Sequence, residues 1–92
     1  MRGDPAGAVA FATQAVALEP KSPENQRELG TVYAELGKVP ESAAAYKASI
    51  ALDPTASAVY YQLASLYRRA GDRKAADEVL TEFNRVNACY PK

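Results

Sequence analysis

Several residues of this chain belong to types that carry chemistry. Ser42, Ser49, Ser57 and Ser65 bear hydroxyls, Cys89 is the single thiol, and Asp and Glu together number 11. A serine attacks a substrate only when a neighbouring base takes its proton, and the chain has no histidine to do so. The same absence removes the commonest metal ligand and proton shuttle. Adjacent carboxylates such as Asp77 and Glu78 diverge on a helix rather than converge on one atom. One cysteine makes neither an internal disulfide nor a Cys-based metal site. The run Gly3-Asp4-Pro5-Ala6-Gly7 is no phosphate cradle, because no strand precedes it and no Lys-Ser/Thr follows. No catalytic residue, metal or cofactor is expected.

The remaining chemistry is that of recognition. Tyr61 is an aromatic among polar neighbours and suits the anchoring of a partner, its hydroxyl still wet. The competing assignment lays it along the next helix as a shield. Arg68, Arg69, Arg73 and Lys74 cluster around one turn and suit a carboxylate held by paired hydrogen bonds. Arg68 and Arg69 equally suit a helix C-terminus, where the dipole favours positive charge. Lys+Arg also number 11, so the net charge is zero. A general binder of nucleic acid or anionic membrane needs a basic excess, so neither partner is expected. No apolar run approaches the roughly 20 residues of a membrane span. The N-terminus lacks a charged-then-apolar leader pattern. A lone thiol fits a reducing, cytoplasmic compartment and says nothing finer.

The elements that must position these groups are helices. Asp4 and Pro5 open the first, which runs to about Leu18 with Ala8, Val9, Ala12, Ala15 and Val16 at helical steps. Its alanine richness predicts burial on more than one side. Ser22, Pro23 and Glu24 start the second, whose apolar stripe is Leu29, Val32, Tyr33 and Leu36, and Gly37 stops it. The third runs from about Pro40 to Leu52 with Ala43, Tyr46, Ile50 and Leu52 inside. The fourth runs from about Ala56 to Ala70 with Val59, Tyr60, Leu63, Leu66 and Tyr67 inside, closed by Gly71. Asp72 caps the fifth, from about Arg73 to Val86, carrying Ala76, Leu80 and Phe83. No alternating pattern marks a strand. Connections of about three to five residues make neighbouring helices antiparallel.

A fixed spacing organises these elements. Gly3, Gly37 and Gly71 stand 34 residues apart, as do Leu29 and Leu63, and Tyr33 and Tyr67. Leu18-Glu19-Pro20 returns as Leu52-Asp53-Pro54. A period in this range marks a stacked array of identical supersecondary units. Small residues such as Gly30, Ala64 and Ala76 permit close helix approach, and Tyr33, Tyr46 and Tyr67 fill the space opposite.

In this pattern the chain resembles the tetratricopeptide repeat family, whose unit is a 34-residue helix-turn-helix. Residues 23–56 carry Leu29, Gly30, Tyr33, Ser42, Tyr46, Ser49 and Pro54 at the family's positions, departing at Gln26, where an aromatic is usual. Residues 57–88 carry Tyr60, Leu63, Ala64, Tyr67, Ala76, Leu80 and Phe83. They depart at Phe83, large where a small residue is usual, and at Ala88 in place of the closing proline. Residues 1–22 match a second helix alone through Ala8, Ala12, Ala15 and Pro20, and residues 89–92 form a tail. The resemblance implies a single all-α, right-handed solenoid of antiparallel helix pairs, five helices in about two and a half repeats.

It also implies a non-catalytic module that binds a peptide or partner helix in a concave groove lined by the first helices of the repeats. The faces left free by the core give Arg27, Thr31 and Glu35 on one side and Tyr61, Gln62, Ser65, Arg68 and Arg69 on the other. Some members grip a C-terminal carboxylate with lysine and asparagine. Here Arg27, Glu28, Thr31, Ala58 and Gln62 stand there, so that clamp does not carry over. Two further roles follow from the unpaired first helix. Phe11, Ala8 and Ala15 form a self-association face of an oligomerisation scaffold, or the chain is the recruiting arm of a larger enzyme, cut from a longer array. Asp77, Glu78 and Asn84 replace Ala43, Ala44 and Ile50, giving the fifth helix the polar outer face of a terminus.

Overall fold

The computed structural model describes residues 5–89. Five helices follow one another: α1 (Pro5–Leu18), α2 (Pro23–Glu35), α3 (Val39–Leu52), α4 (Ser57–Arg69) and α5 (Arg73–Cys89). Among the described residues there is no strand. The principal contacts join each helix to the next, α1 to α2, α2 to α3, α3 to α4 and α4 to α5. The architecture is an all-α helical solenoid.

Local chemistry sets the helix ends. The Ser22 hydroxyl accepts the Asn25 N–H at 3.2 Å, with Pro23 in the first turn. α2 and α4 end alike. Gly37 and Gly71 take φ of +75° and +87°, where a Cβ would be strained. The Gly37 N–H donates to the Ala34 carbonyl and the Lys38 N–H to that of Tyr33. Gly71 and Asp72 repeat the pair onto Arg68 and Tyr67. These are the paired C-terminal bonds that satisfy a helix's last carbonyls. Asp72 then turns its carboxylate to the Ala75 N–H at 3.0 Å, so one residue closes α4 and caps α5. The expected cap Asp4, and Gly3, lie outside the described residues.

Within the α2–α3 pair the small residues govern the approach. A Cβ on Gly30 would lie 2.7 Å from Cδ1 of Tyr46, closer than carbon atoms pack. The Ser42 hydroxyl donates to the Gly30 carbonyl at 2.7 Å, and Ser49 to the Pro23 carbonyl at 2.8 Å. Both serines are buried, and these bonds remove the penalty of burying them. Across the α3–α4 junction, Ala43, Tyr46, Val59, Leu63 and Leu66 form the buried core, flanked by Ile50, Tyr67 and Val79.

Three expectations are corrected. α1 is not buried on several sides: it packs chiefly on α2, with Ala12 buried and Phe11 and Leu18 exposed. Alanine alone does not distinguish a doubly covered helix from one with an open face. Leu52 is exposed rather than internal, at the last turn of α3. α5 extends past Val86 to Cys89, because Asn87 and Ala88 carry no helix-breaking chemistry. Cys89 therefore ends a helix rather than lying in a tail.

Tyr60 is almost wholly buried and donates its hydroxyl to the Pro54 carbonyl at 2.9 Å. Burial, then the charges of Glu82 and Asp53, push its pKa above the ordinary value of 10.0. The folded state thus holds this proton more tightly than the unfolded chain. Its stabilising contribution is complete below about pH 10 and is lost as pH rises through the folded pKa. Stability is expected to fall in that alkaline window, and Tyr60→Phe to make the fall shallower, as read from urea midpoints at successive pH values. An unchanged slope in the variant would assign the alkaline loss to other groups.

Candidate partner-binding groove

A concavity of about 370 Å³ opens between α2 and α4. Thr31 and, one turn on along α2, Ala34 and Glu35 form one wall. Tyr61, Gln62, Ser65, Leu66 and Arg69 form the other, spanning two turns of α4. Tyr46 reaches in from α3 as the floor. Thr31, Glu35, Tyr61, Gln62, Ser65 and Arg69 are thus brought together.

Arg27 and Arg68 are placed elsewhere. Arg27 borders a second concavity of about 400 Å³, near the starts of α2 and α4, with Glu24, Ser49, Asp53 and Ala58. Arg68 is exposed in the last turn of α4 and lies outside the lining of either concavity. Arg73 and Lys74 also stand outside the groove lining, so the basic cluster divides at Arg69.

The groove mixes one desolvated acceptor with one exposed ring. Gln62 Oε1 is closed off from solvent without a hydrogen-bond partner. Such an atom carries a penalty of about 1–3 kcal/mol. Tyr61 is 57% exposed, yet its ring meets that of Phe83 at 5.4 Å between centroids and 58° between planes. Phe83 also meets Tyr60 at 5.2 Å. The ring of Tyr61 is therefore braced from α5 while most of it stays available. The floor is polar at one point. Thr31 donates to the Arg27 carbonyl at 3.1 Å, which leaves its oxygen to accept from the Tyr46 hydroxyl at 3.1 Å.

One groove residue, Tyr46, is not among those expected there. Its ring is core, as expected, and the signal for its second role is the hydroxyl, which needs a polar outlet. Phe83, expected inside α5, stands outside the groove lining, and its ring braces both Tyr60 and Tyr61. A third concavity of about 260 Å³ lies among α3, α4 and α5, with Ile50, Leu63 and Val79 beneath Lys47, Glu78 and Glu82. The face expected to self-associate has Ala8 and Phe11 exposed and Ala15 half-buried. Among the described residues no group of acidic, cysteine or histidine side chains could hold a metal ion, and no helix is long and apolar enough to cross a membrane.

Comparison with curated proteins gives no match. Two family models do match, one described as a TPR repeat over residues 30–71 and one as a tetratricopeptide repeat over residues 57–88. Repeats of this kind are generally protein–protein interaction modules and generally non-catalytic. With these matches continuous over residues 30–88 and the helices paired as the 34-residue period requires, the chain belongs to the tetratricopeptide repeat family, in about two and a half repeats.

Proposed function

We propose that the chain is a non-catalytic module that binds a peptide or a partner helix in the groove between α2 and α4. The observation that carries this is the ring of Tyr61, 57% exposed on one wall of the groove and braced by Phe83. A braced, exposed ring offers apolar contact at little entropic cost. Glu35 and Arg69 set opposite charges on opposing walls, which suits a ligand of fixed direction. The absence of histidine beside any serine supports the non-catalytic part of the reading.

Peptides selected by display on the full chain test it. Tyr61→Ala is expected to weaken the selected peptides by at least about tenfold, as an anchor residue does, at unchanged helicity. Asp77→Ala, on exposed α5, should leave them bound. Unchanged affinity in the Tyr61 variant, measured by titration calorimetry, would defeat the assignment.

A further inference from the structure

We propose that Phe83 is a positioning residue of the groove, through which the docking of α5 and the binding of a ligand strengthen one another. The proposal rests on the groove between α2 and α4 being the binding site.

The 34-residue period sets the two helix pairs side by side. α2 and α3 are latched by hydroxyls: Ser42 donates to the Gly30 carbonyl and Ser49 to the Pro23 carbonyl. The matching positions of α5 are Ala76 and Phe83, and neither side chain can donate. At these two places α5 is held on α4 by apolar contact alone. Ala76 is buried. Phe83 is half-buried and meets two rings of α4, Tyr60 at 5.2 Å and Tyr61 at 5.4 Å between centroids. The replacements go together. Where α3 has Ser49, α2 has Gln26 and Arg27 at the places of Tyr60 and Tyr61. The rings on α4 come with the ring on α5.

The two rings that Phe83 meets differ in freedom. Tyr60 is buried and bonded through its hydroxyl to the Pro54 carbonyl, so its place is set twice over. Tyr61 is largely exposed and lines the groove, while Phe83 stands behind it, outside the lining. Phe83 is thus a point where α5 reaches a groove residue. α5 contacts chiefly α4, and a helix held by one neighbour opens more readily than the core. When α5 lifts, Tyr61 loses its brace, and a ligand must order the ring as it binds. By reciprocity, a ligand that holds Tyr61 in place also holds α5 down.

A double-mutant cycle on the full chain tests this, with one peptide selected by display and titrated calorimetrically. Phe83→Leu keeps an apolar side chain and removes the ring. It should weaken the peptide about two- to tenfold, the cost of ordering one freed side chain. In the Tyr61→Ala background the same substitution should change affinity by less than about twofold. An equal loss in both backgrounds would make Phe83 a structural residue only, and no loss in the parent would remove the coupling. Hydrogen exchange reads the same link without altering Phe83. Peptide binding should slow exchange of the α5 amides, and at equal occupancy the slowing should shrink in Tyr61→Ala. Unchanged α5 exchange on binding, or equal slowing in Tyr61→Ala, overturns the proposal. Tyr61→Ala that binds as the parent does defeats the groove itself. A weakened Tyr61→Ala beside a Phe83→Leu that binds normally defeats only the coupling.

Discussion

Tyr46→Ala is expected to lower the unfolding free energy by about 3–5 kcal/mol, the range for deleting a buried ring. The side chain is 3% exposed and belongs to the core shared by α3 and α4. It also lies against Gly30, whose missing side chain makes the room the ring fills. Truncation leaves a void between backbones that were already as close as the glycine allows. α2 and α3 are further tied by the Ser42 and Ser49 bonds, which restrain them from collapsing into the gap. Tyr46→Phe separates ring from hydroxyl. It keeps the packing and loses the bond to Thr31, for an expected cost of about 1 kcal/mol. Urea unfolding followed by circular dichroism reads both variants. Similar losses for the two would mean that the hydroxyl, not the ring, holds this contact. The alanine variant should also lose the groove floor, so its peptide affinity should fall even where it remains folded.

Leu63→Ala is expected to cost about 2–5 kcal/mol. Leu63 is 2% exposed and sits mid-way along α4, among Ala43, Tyr46, Val59 and Leu66. For a domain of this size each kcal/mol moves the thermal midpoint by about 4–8 °C, so a fall of at least about 8 °C is expected. Leu63 also borders the 260 Å³ concavity among α3, α4 and α5, which truncation would deepen. Water entering from that side would place the loss toward the lower end. Leu63→Met keeps the volume and should cost less than about 1.5 kcal/mol. A scanning calorimeter decides. An alanine variant melting within a few degrees of the parent would show that the α3–α4 contact is not the core it appears from burial.

The sequence announced the helices wherever capping chemistry is local. Ser22, Asp72, Gly37 and Gly71 each act through bonds to residues within a few positions, and each was legible from type and spacing alone. Burial of α1 was not, because alanine is compatible with both a covered and an open face. What decides is whether a neighbour exists. The extension of α5 to Cys89 has a related cause: nothing in Asn87 or Ala88 ends a helix, so the last apolar position, Val86, does not mark its end. For the groove, subtracting core positions from each helical face found residues on both walls. It could not tell how far along each helix the concavity runs, and that depends on where α2 and α4 converge. Arg27 shares a helix face with Thr31 but sits a turn away, in another concavity. Tyr46 was invisible as a groove residue because one side chain can pack at its ring and project at its hydroxyl.

The succession of contacts from each helix to the next has a consequence for how the molecule comes apart. A globular core ties distant segments together, so that losing one loses all. Here the main couplings link neighbours in the chain, and α1 is chiefly held by α2. Opening can therefore proceed by steps, each exposing one interface and leaving the remainder in place. The free energy that protects a backbone amide is graded along the molecule: least in α1, greatest where α3 and α4 share the buried core. Such a chain behaves as a short zipper, and because its contacts are local in sequence its closing is fast.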